Sequence, residues 1–437
     1  MVAPDNLRGA TDMGKRIRIA SFNAENFAHP GVRFFNRDSE APFDETLFAE
    51  KLDWMTRLID EARMDLIGFQ EVFSLEALQA IVTHPTAHSR YLSSFGELVS
   101  VPGSAERGVT VLCPGCALDP ATGKPKNLKA DAHGRPAVEG PHVGLVTRFP
   151  VLEYASIAEF PRELKFDIPL GQHDEEDPVV NLAIHRFERP VLKARVLLDA
   201  ETNTTATVFV AHMKSKRGKY LKAEKDIRAA ADSAAQAAGK PIQTAEDPVV
   251  EALASFRSLI VRAAEAVALR ALILRTLDDV GDRPGEPVIV LGDLNDDTSS
   301  VTTGIIAGPS PPWYWSPQQK APRRDVALTS VHDVMAERSL ANVAYSHVYD
   351  GRYSIIDHIF VSRELLSAYA DRVGSVQNVR IFNDHLVDDN LARPEKPAKI
   401  IVDGDRLTPP STRSDHGIPV AEIEITGRID RQDRNIS

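Results

Sequence analysis

Apolar runs that end abruptly in carboxylates and amides recur along this chain, and they restrict its folding more than any other feature. The sharpest is VIVLGDLNDD, Val288–Asp297, where four apolar residues lead into Gly292, Asp293, Leu294, Asn295 and two further aspartates. Groups this polar at the end of a buried strand need something to hold. RIRIASFNAENF alternates and then breaks at Asn23, and MDLIGFQEV ends in Gln70 and Glu71. TTATVFVAHMKSK leaves through His212 into lysines, YSIIDHIFVS carries Asp357, and TRSDHGIPVAEIEI carries Asp415 and His416. Helical spacing separates these strands. Leu52, Met55, Leu58, Ile59 and Ala62 fall on one face between Asp44 and about Arg63, with Asp44 as N-cap, and Glu251–Leu277 keeps a long helical period. Strands interspersed with helices predict an α/β fold with its polar strand ends gathered on one edge of the sheets.

The bulk composition sets outer limits. A chain of 437 residues with 43% hydrophobic residues can bury a large core. Its net charge of -11 argues against a protein that coats nucleic acid, but not against an enzyme that cuts it. No apolar run reaches the roughly 18 to 20 residues of a membrane helix, and the N-terminal stretch MVAPDNLRGATDMGKRIRIASFN has no apolar signal core. A cytoplasmic location without stable membrane association is expected. The only cysteines, Cys113 and Cys116 in VLCPGCALDP, form a single CxxC. They allow half a zinc site with His133 and His142, a local disulfide or two loop thiols, and the ligand spacing disfavours zinc.

Residues 1–15 read as a loose tail, 16–428 as one domain, and 429–437 as a C-terminal tail. Insertions are expected near 101–140, which is rich in Gly, Pro and Lys, and near 222–250, where Ala229–Asp247 lacks apolar spacing. An acidic loop, His173–Asp177, falls between two strands, and no solenoid-type repeat is present.

Each polar strand end taken singly has a plain structural explanation, such as a turn, a cap or an ion pair. Together the set SFNAENF, DLIGFQEV, GLVTRFPV, VFVAHMKSK, VIVLGDLND, YSIIDHIFVS and SDHGIPV, in this order from about residue 17 to 426, resembles the endonuclease/exonuclease/phosphatase superfamily, of which deoxyribonuclease I is a member. The resemblance implies a four-layer αββα sandwich, two mixed β-sheets packed face to face with helices outside. It also implies phosphoester hydrolysis assisted by Mg²⁺, with Mn²⁺ as a substitute. Glu71 is then the first candidate metal ligand, with Asn23, Glu25 and Asp415 completing or supporting the set, since oxygen donors suit such a hard cation. Asp293 would orient and activate the attacking water beside Asn295, and His416 would meet the phosphate, oriented by Asp357. His212 would serve the leaving oxygen and Arg189 would clamp phosphate. The division of acid and base work between His212 and His416 stays open. His358 alternates to the face opposite Asp357, and His385 sits in the loop-like NDHLVDD; neither is given a catalytic role.

The superfamily includes nucleases, inositol-phosphate phosphatases, sphingomyelinases and deadenylases, so the substrate must come from local sequence. HMKSKRGKYLKAEKDIR places Lys214, Lys216 and Arg217 directly after His212, and Lys219, Lys222, Lys225 and Arg228 beyond them. Such a basic run beside the site favours a polyanion, and a nuclease acting on DNA or RNA is the expected function. Tyr345, Tyr349 and Tyr353 would stack on bases or pack beneath their loop. The alternative is a metal-dependent phosphatase or phosphodiesterase for a small molecule or lipid head group, with Trp313, Tyr314 and Trp315 as an apolar contact loop. No protein partner can be inferred.

Overall fold

The computed structural model describes residues 14–34, 40–85, 87–99, 108–116, 128–130, 134–164, 166–169, 181–239, 247–279, 285–340, 344–386 and 398–427. Most of both expected tails, the acidic loop, His133 and much of 101–140 lie outside them.

Among the described residues, thirteen strands form two mixed sheets. The first runs Gly374–Phe382, Ile418–Ile425, Lys15–Phe27, Leu66–Val72, His142–Thr147, Val109–Leu112 and Leu98–Val99 in spatial order. The second runs Leu328–Ser330, Asp357–Ser362, Val288–Asp293, Thr204–His212, Arg186–Asp199 and Val151–Glu159. A parallel pair lies inside each: Lys15–Phe27 with Leu66–Val72, and Thr204–His212 with Val288–Asp293. Parallel pairing sends both C-terminal ends of a pair to the same edge, so Asn23 lies opposite Gln70 and His212 opposite Asp293.

Alternation decides which core each side chain enters. Ile17 and Ile19 join Leu66, Leu145, Val208, Val210, Ile289, Leu291, Ile359 and Ile423 between the sheets. Ala20, Phe22 and Ala24 face the other way, into a core with Phe48, Leu52, Met55 and Ile59 of the Glu45–Ala62 helix. Phe209, Val288 and Val290 pack outward against Val261, Ala268, Leu269 and Ile273 of the long helix Pro248–Asp279. The result is four layers, helix, sheet, sheet, helix, as expected. Each large apolar side chain buried this way contributes roughly 1.5–3 kcal/mol. The Glu45–Ala62 helix starts at Asp44, whose carboxylate accepts from Leu47 N at 2.8 Å, and ends at Arg63 in the left-handed region.

Three segments differ from expectation. The first strand does not stop at Asn23: it continues to Phe27 with a register shift, where Glu25 and Asn26 take positive φ and interrupt the ladder. Val109–Leu112 is a fully buried sheet strand inside the supposed irregular insertion, four residues whose signal the surrounding Gly, Pro and Lys dilute. Lys222–Ala237 is a helix that buries no residue, and its Ala-rich composition supports it without apolar spacing. Cys113 and Cys116 pair with each other as a disulfide, so neither offers a thiolate to zinc. No described helix is long and apolar enough to cross a membrane.

Candidate active site

The strand ends meet at one edge of the sandwich, where the two sheets are bonded to each other through side chains. Asn23 of the first sheet donates its amide to Asp293 Oδ2 of the second at 3.0 Å and lies 3.3 Å from His416 Nε2. Its Oδ1 accepts the Glu25 N–H at 3.0 Å, which closes the bulge. His416 Nδ1 rests 2.9 Å from Asp357 Oδ2, and His212 Nε2 lies 3.5 Å from Asp293 Oδ2 on the other side. Asn295 donates its backbone N–H to Asp293 Oδ1 at 2.8 Å and its amide to Met213 O at 3.1 Å. Two serines set this frame. Ser414 donates to Asn23 O at 2.7 Å and accepts from His416 N, while Ser346 Oγ accepts from Ile356 N and Asp357 N.

Backbone strain is concentrated here. Of the eight described non-glycine residues with positive φ, Glu25, Asn26, Glu71 and Asn295 are at this edge. Asparagine adopts this conformation readily but glutamate does not, so the surrounding packing must hold Glu25 and Glu71 in place. Gly292 is required for a different reason: a Cβ there would fall 2.2 Å from Ala211 O of the parallel neighbour.

Burial and charge sort the titratable groups. Asp293 is pushed up to about 7, first by burial and then by Asp357 and Glu71, against the lowering pull of His416 and Asn295 N–H. Burial alone would lower His416, but Asp357, Asp415 and Asp293 outweigh it and hold the imidazole well above its ordinary range. Burial drives His212 well below that range, helped by Arg189, His416 and Lys214. Two histidines beside one carboxylate therefore have opposite protonation preferences.

Glu25, Glu71 and Asp415 approach closely enough that burial and the charges of Asp415, Glu71 and Glu40 push the Glu25 acid up to about 8. Lys51 opposes them. Its ammonium, fully buried, donates to Glu25 O at 2.8 Å and Ser411 O at 3.0 Å, with Arg413 O at 3.5 Å. Carboxylate oxygens are the donors that a hard divalent cation takes. Among the described residues, two groups have ligand atoms within 4.8 Å of one another, Asp293 with Asp357 and His416, and His347 with Asp415 and His416; Glu25 and Glu71 belong to neither.

The substrate-side candidates are close by. Arg189 donates to Met213 O at 3.1 Å, next to His212. Lys214 turns its ammonium onto Ser215 O, Ser215 Oγ and Arg217 O of its own loop, Lys216 lies 3.6 Å from Asp296, and Arg217 is exposed. Lys219 and Arg228 pair with Glu188 and Asp232. His358 is buried on the opposite face, bonded to Asp296 O at 2.8 Å. His385 is not a surface bystander, because its Nε2 meets His416 O at 2.9 Å and its ring meets Trp54.

Two residues escaped the sequence reading. Lys51 stands on the buried stripe of its helix, between Phe48 and Met55, and a lysine there is the signal that could have found it. His347 sits on a three-residue strand too short for any period to mark it.

No family model matches the chain, and no curated protein matches it. Among solved structures, an endonuclease/exonuclease/phosphatase family protein from Bacteroides thetaiotaomicron is similar at 14% identity and TM-score 0.40, covering 94% of this chain and 98% of that one. A Bacteroides thetaiotaomicron mannosyl-6-phosphatase is similar at 14% identity and TM-score 0.40, covering 93% and 99%. The human Nocturnin catalytic domain with bound sulfate is similar at 14% identity and TM-score 0.44, covering 95% and 97%. These likenesses extend over nearly the whole chain at low identity.

Proposed function

We propose that this chain is a divalent-metal-dependent phosphodiester hydrolase that cleaves nucleic acid. The observation that carries this reading is the juxtaposition of the Glu25, Glu71 and Asp415 carboxylates with Asp293 and a His416–Asp357 pair, at one edge where the sheets meet. Glu71, supported by Glu25, Asn23 and Asp415, would hold Mg²⁺ or Mn²⁺. Bound there, the cation offsets phosphate charge and favours attack by water. Asp293, with an acid near neutrality, accepts the proton of the attacking water, and Asn295 and Asn23 fix its oxygens. His416, kept protonated by Asp357, presents positive charge to a phosphate oxygen. His212, kept neutral, hydrogen-bonds at the leaving oxygen. Arg189 clamps the phosphate, and the loop of Lys214, Lys216 and Arg217 gives a polyanion its approach.

One observation favours a second reading. Trp313 is 88% exposed and Tyr314 is 69% exposed, a contact surface for a lipid head-group enzyme. A Mg²⁺-supplemented panel of DNA, RNA, bis-p-nitrophenyl phosphate, sphingomyelin and inositol phosphates separates the two. Polynucleotide cleavage is expected, abolished by chelator and lowered about a thousandfold or more in Asp293→Ala. Cleavage confined to lipid or small phosphoesters would replace the nuclease reading with the second one. Activity that survives thorough chelation would end the metal-dependent mechanism.

A further inference from the structure

The hairpin His347–Tyr349 and Arg352–Ser354 extends from the catalytic edge and presents aromatic rings that the chemistry above does not use. Its root is fixed. His347 bridges to His416 through the backbone, Gly417 N donates to Ser346 O at 2.6 Å, and Ser346 Oγ caps Ile356 and Asp357. Residues two apart on a strand share a face, so His347 and Tyr349 point the same way. Arg352 is the cross-strand partner of Tyr349. The rings form a series: His416 to His347 at 5.2 Å between centroids, then His347 to Tyr349 at 6.4 Å with planes only 15° apart. Tyr349 is 64% exposed at the outer end. Tyr353 is equally exposed on the other face, in edge contact with Tyr345.

A line of flat faces leading from a phosphate-reacting histidine to an exposed tyrosine, with a guanidinium opposite, matches a planar ring followed by another anion. A lipid chain does not fit, since Asp350, Gly351 and Arg352 surround Tyr349 with polar backbone and charge. A sugar monophosphate brings a face for Tyr349 but no second anion for Arg352. We infer that the His347–Tyr349–Arg352 face is a nucleoside subsite: the base next to the scissile phosphate stacks on Tyr349, and Arg352 meets the following phosphate. This rests on the phosphodiesterase reading above and names its substrate class as a strand with exposed bases.

Binding is measured with the Asp293→Ala chain in Mg²⁺, so that nothing is cut. Two probes are used, a single-stranded DNA decamer carrying 2-aminopurine and a decamer of tetrahydrofuran abasic spacers with the same phosphates. Adding Tyr349→Ala should weaken the first about tenfold or more and abolish quenching of its fluorescence, as loss of a base stack does. Tyr349→Phe should retain both, and binding of the abasic decamer should not change. Equal weakening on both decamers would make Tyr349 a structural residue, and no weakening on either would remove the subsite. If the parent chain binds neither decamer, the nucleic-acid reading itself fails and the subsite with it.

Discussion

Lys51 is the residue on which the carboxylate cluster depends. A fully buried ammonium with two short bonds to backbone oxygens joins the bulge at Glu25 to the loop at Ser411, while its charge opposes Glu25, Asp415, Glu71 and Glu40. Lys51→Met keeps the length of the side chain and removes both functions. Taking one partner from a buried charged set costs about 3–5 kcal/mol, because the remaining groups are left uncompensated. Urea unfolding of metal-free Lys51→Met should show a loss of that size, and Mg²⁺ should recover part of it. A loss under about 1 kcal/mol would mean that the cluster tolerates its own charge. Residues of this kind are hard to read in sequence. Asp293, Asn295, Glu71 and His416 were legible because each ends or borders an apolar strand. Lys51 and His347 were not, since a lysine in a surface helix ordinarily reads as solvent-facing and His347 stands on a three-residue strand.

Elements became legible in proportion to how much apolar surface they bury. The Glu45–Ala62 helix, with an N-cap and a regular buried stripe, matches expectation nearly to the residue. The Lys222–Ala237 helix buries nothing, and what holds it is polar and distant in sequence. Arg257 of the long helix donates to both oxygens of Glu224 at 2.9 Å, and Glu224 in turn accepts from Leu221 N at 2.7 Å. Along the same face, Ser258 donates to Arg217 O, Arg262 to Lys214 O, and Glu265 accepts from Lys214 N. The long helix therefore fastens the basic loop and the helix after it. An Ala-rich helix of this length is marginal alone. Arg257→Ala should raise amide hydrogen exchange about tenfold or more across 222–237 while leaving the two sheets protected. Unchanged exchange there would show that the helix is held by its own propensity.

At the scale of the whole molecule, acids buried beyond what their charge tolerates make stability depend on pH and on cation together. Burial first, then neighbouring carboxylates, push Glu25 up to about 8 and Asp293 up to about 7, and burial pushes Glu265 up to about 7. Each holds a proton in the folded chain that the unfolded chain has already released, so stability falls as pH rises through that window. His416, raised well above 6.5, acts in the same direction: its contribution is complete below 6.5 and is lost as pH climbs through its folded value. Histidines kept neutral by burial, among them His142 at about 4 and His332 at about 3, add stability as pH rises, but only up to their unfolded value near 6.5. Above that pH, among the described residues, the lowered cations Lys51, Lys214 and Arg270 act against the acids. The metal-free chain should therefore lose stability between pH 6.5 and 8, read as a falling urea midpoint. A divalent cation competes with protons for the same oxygens, so its stabilisation should grow over this interval. The difference between urea midpoints with and without Mg²⁺ should be larger at pH 8 than at pH 6.5, and Asp293→Asn should narrow it. A difference equal at both pH values would mean that the cation binds away from these carboxylates, and the mechanism built on Glu71 and its neighbours would fail with it.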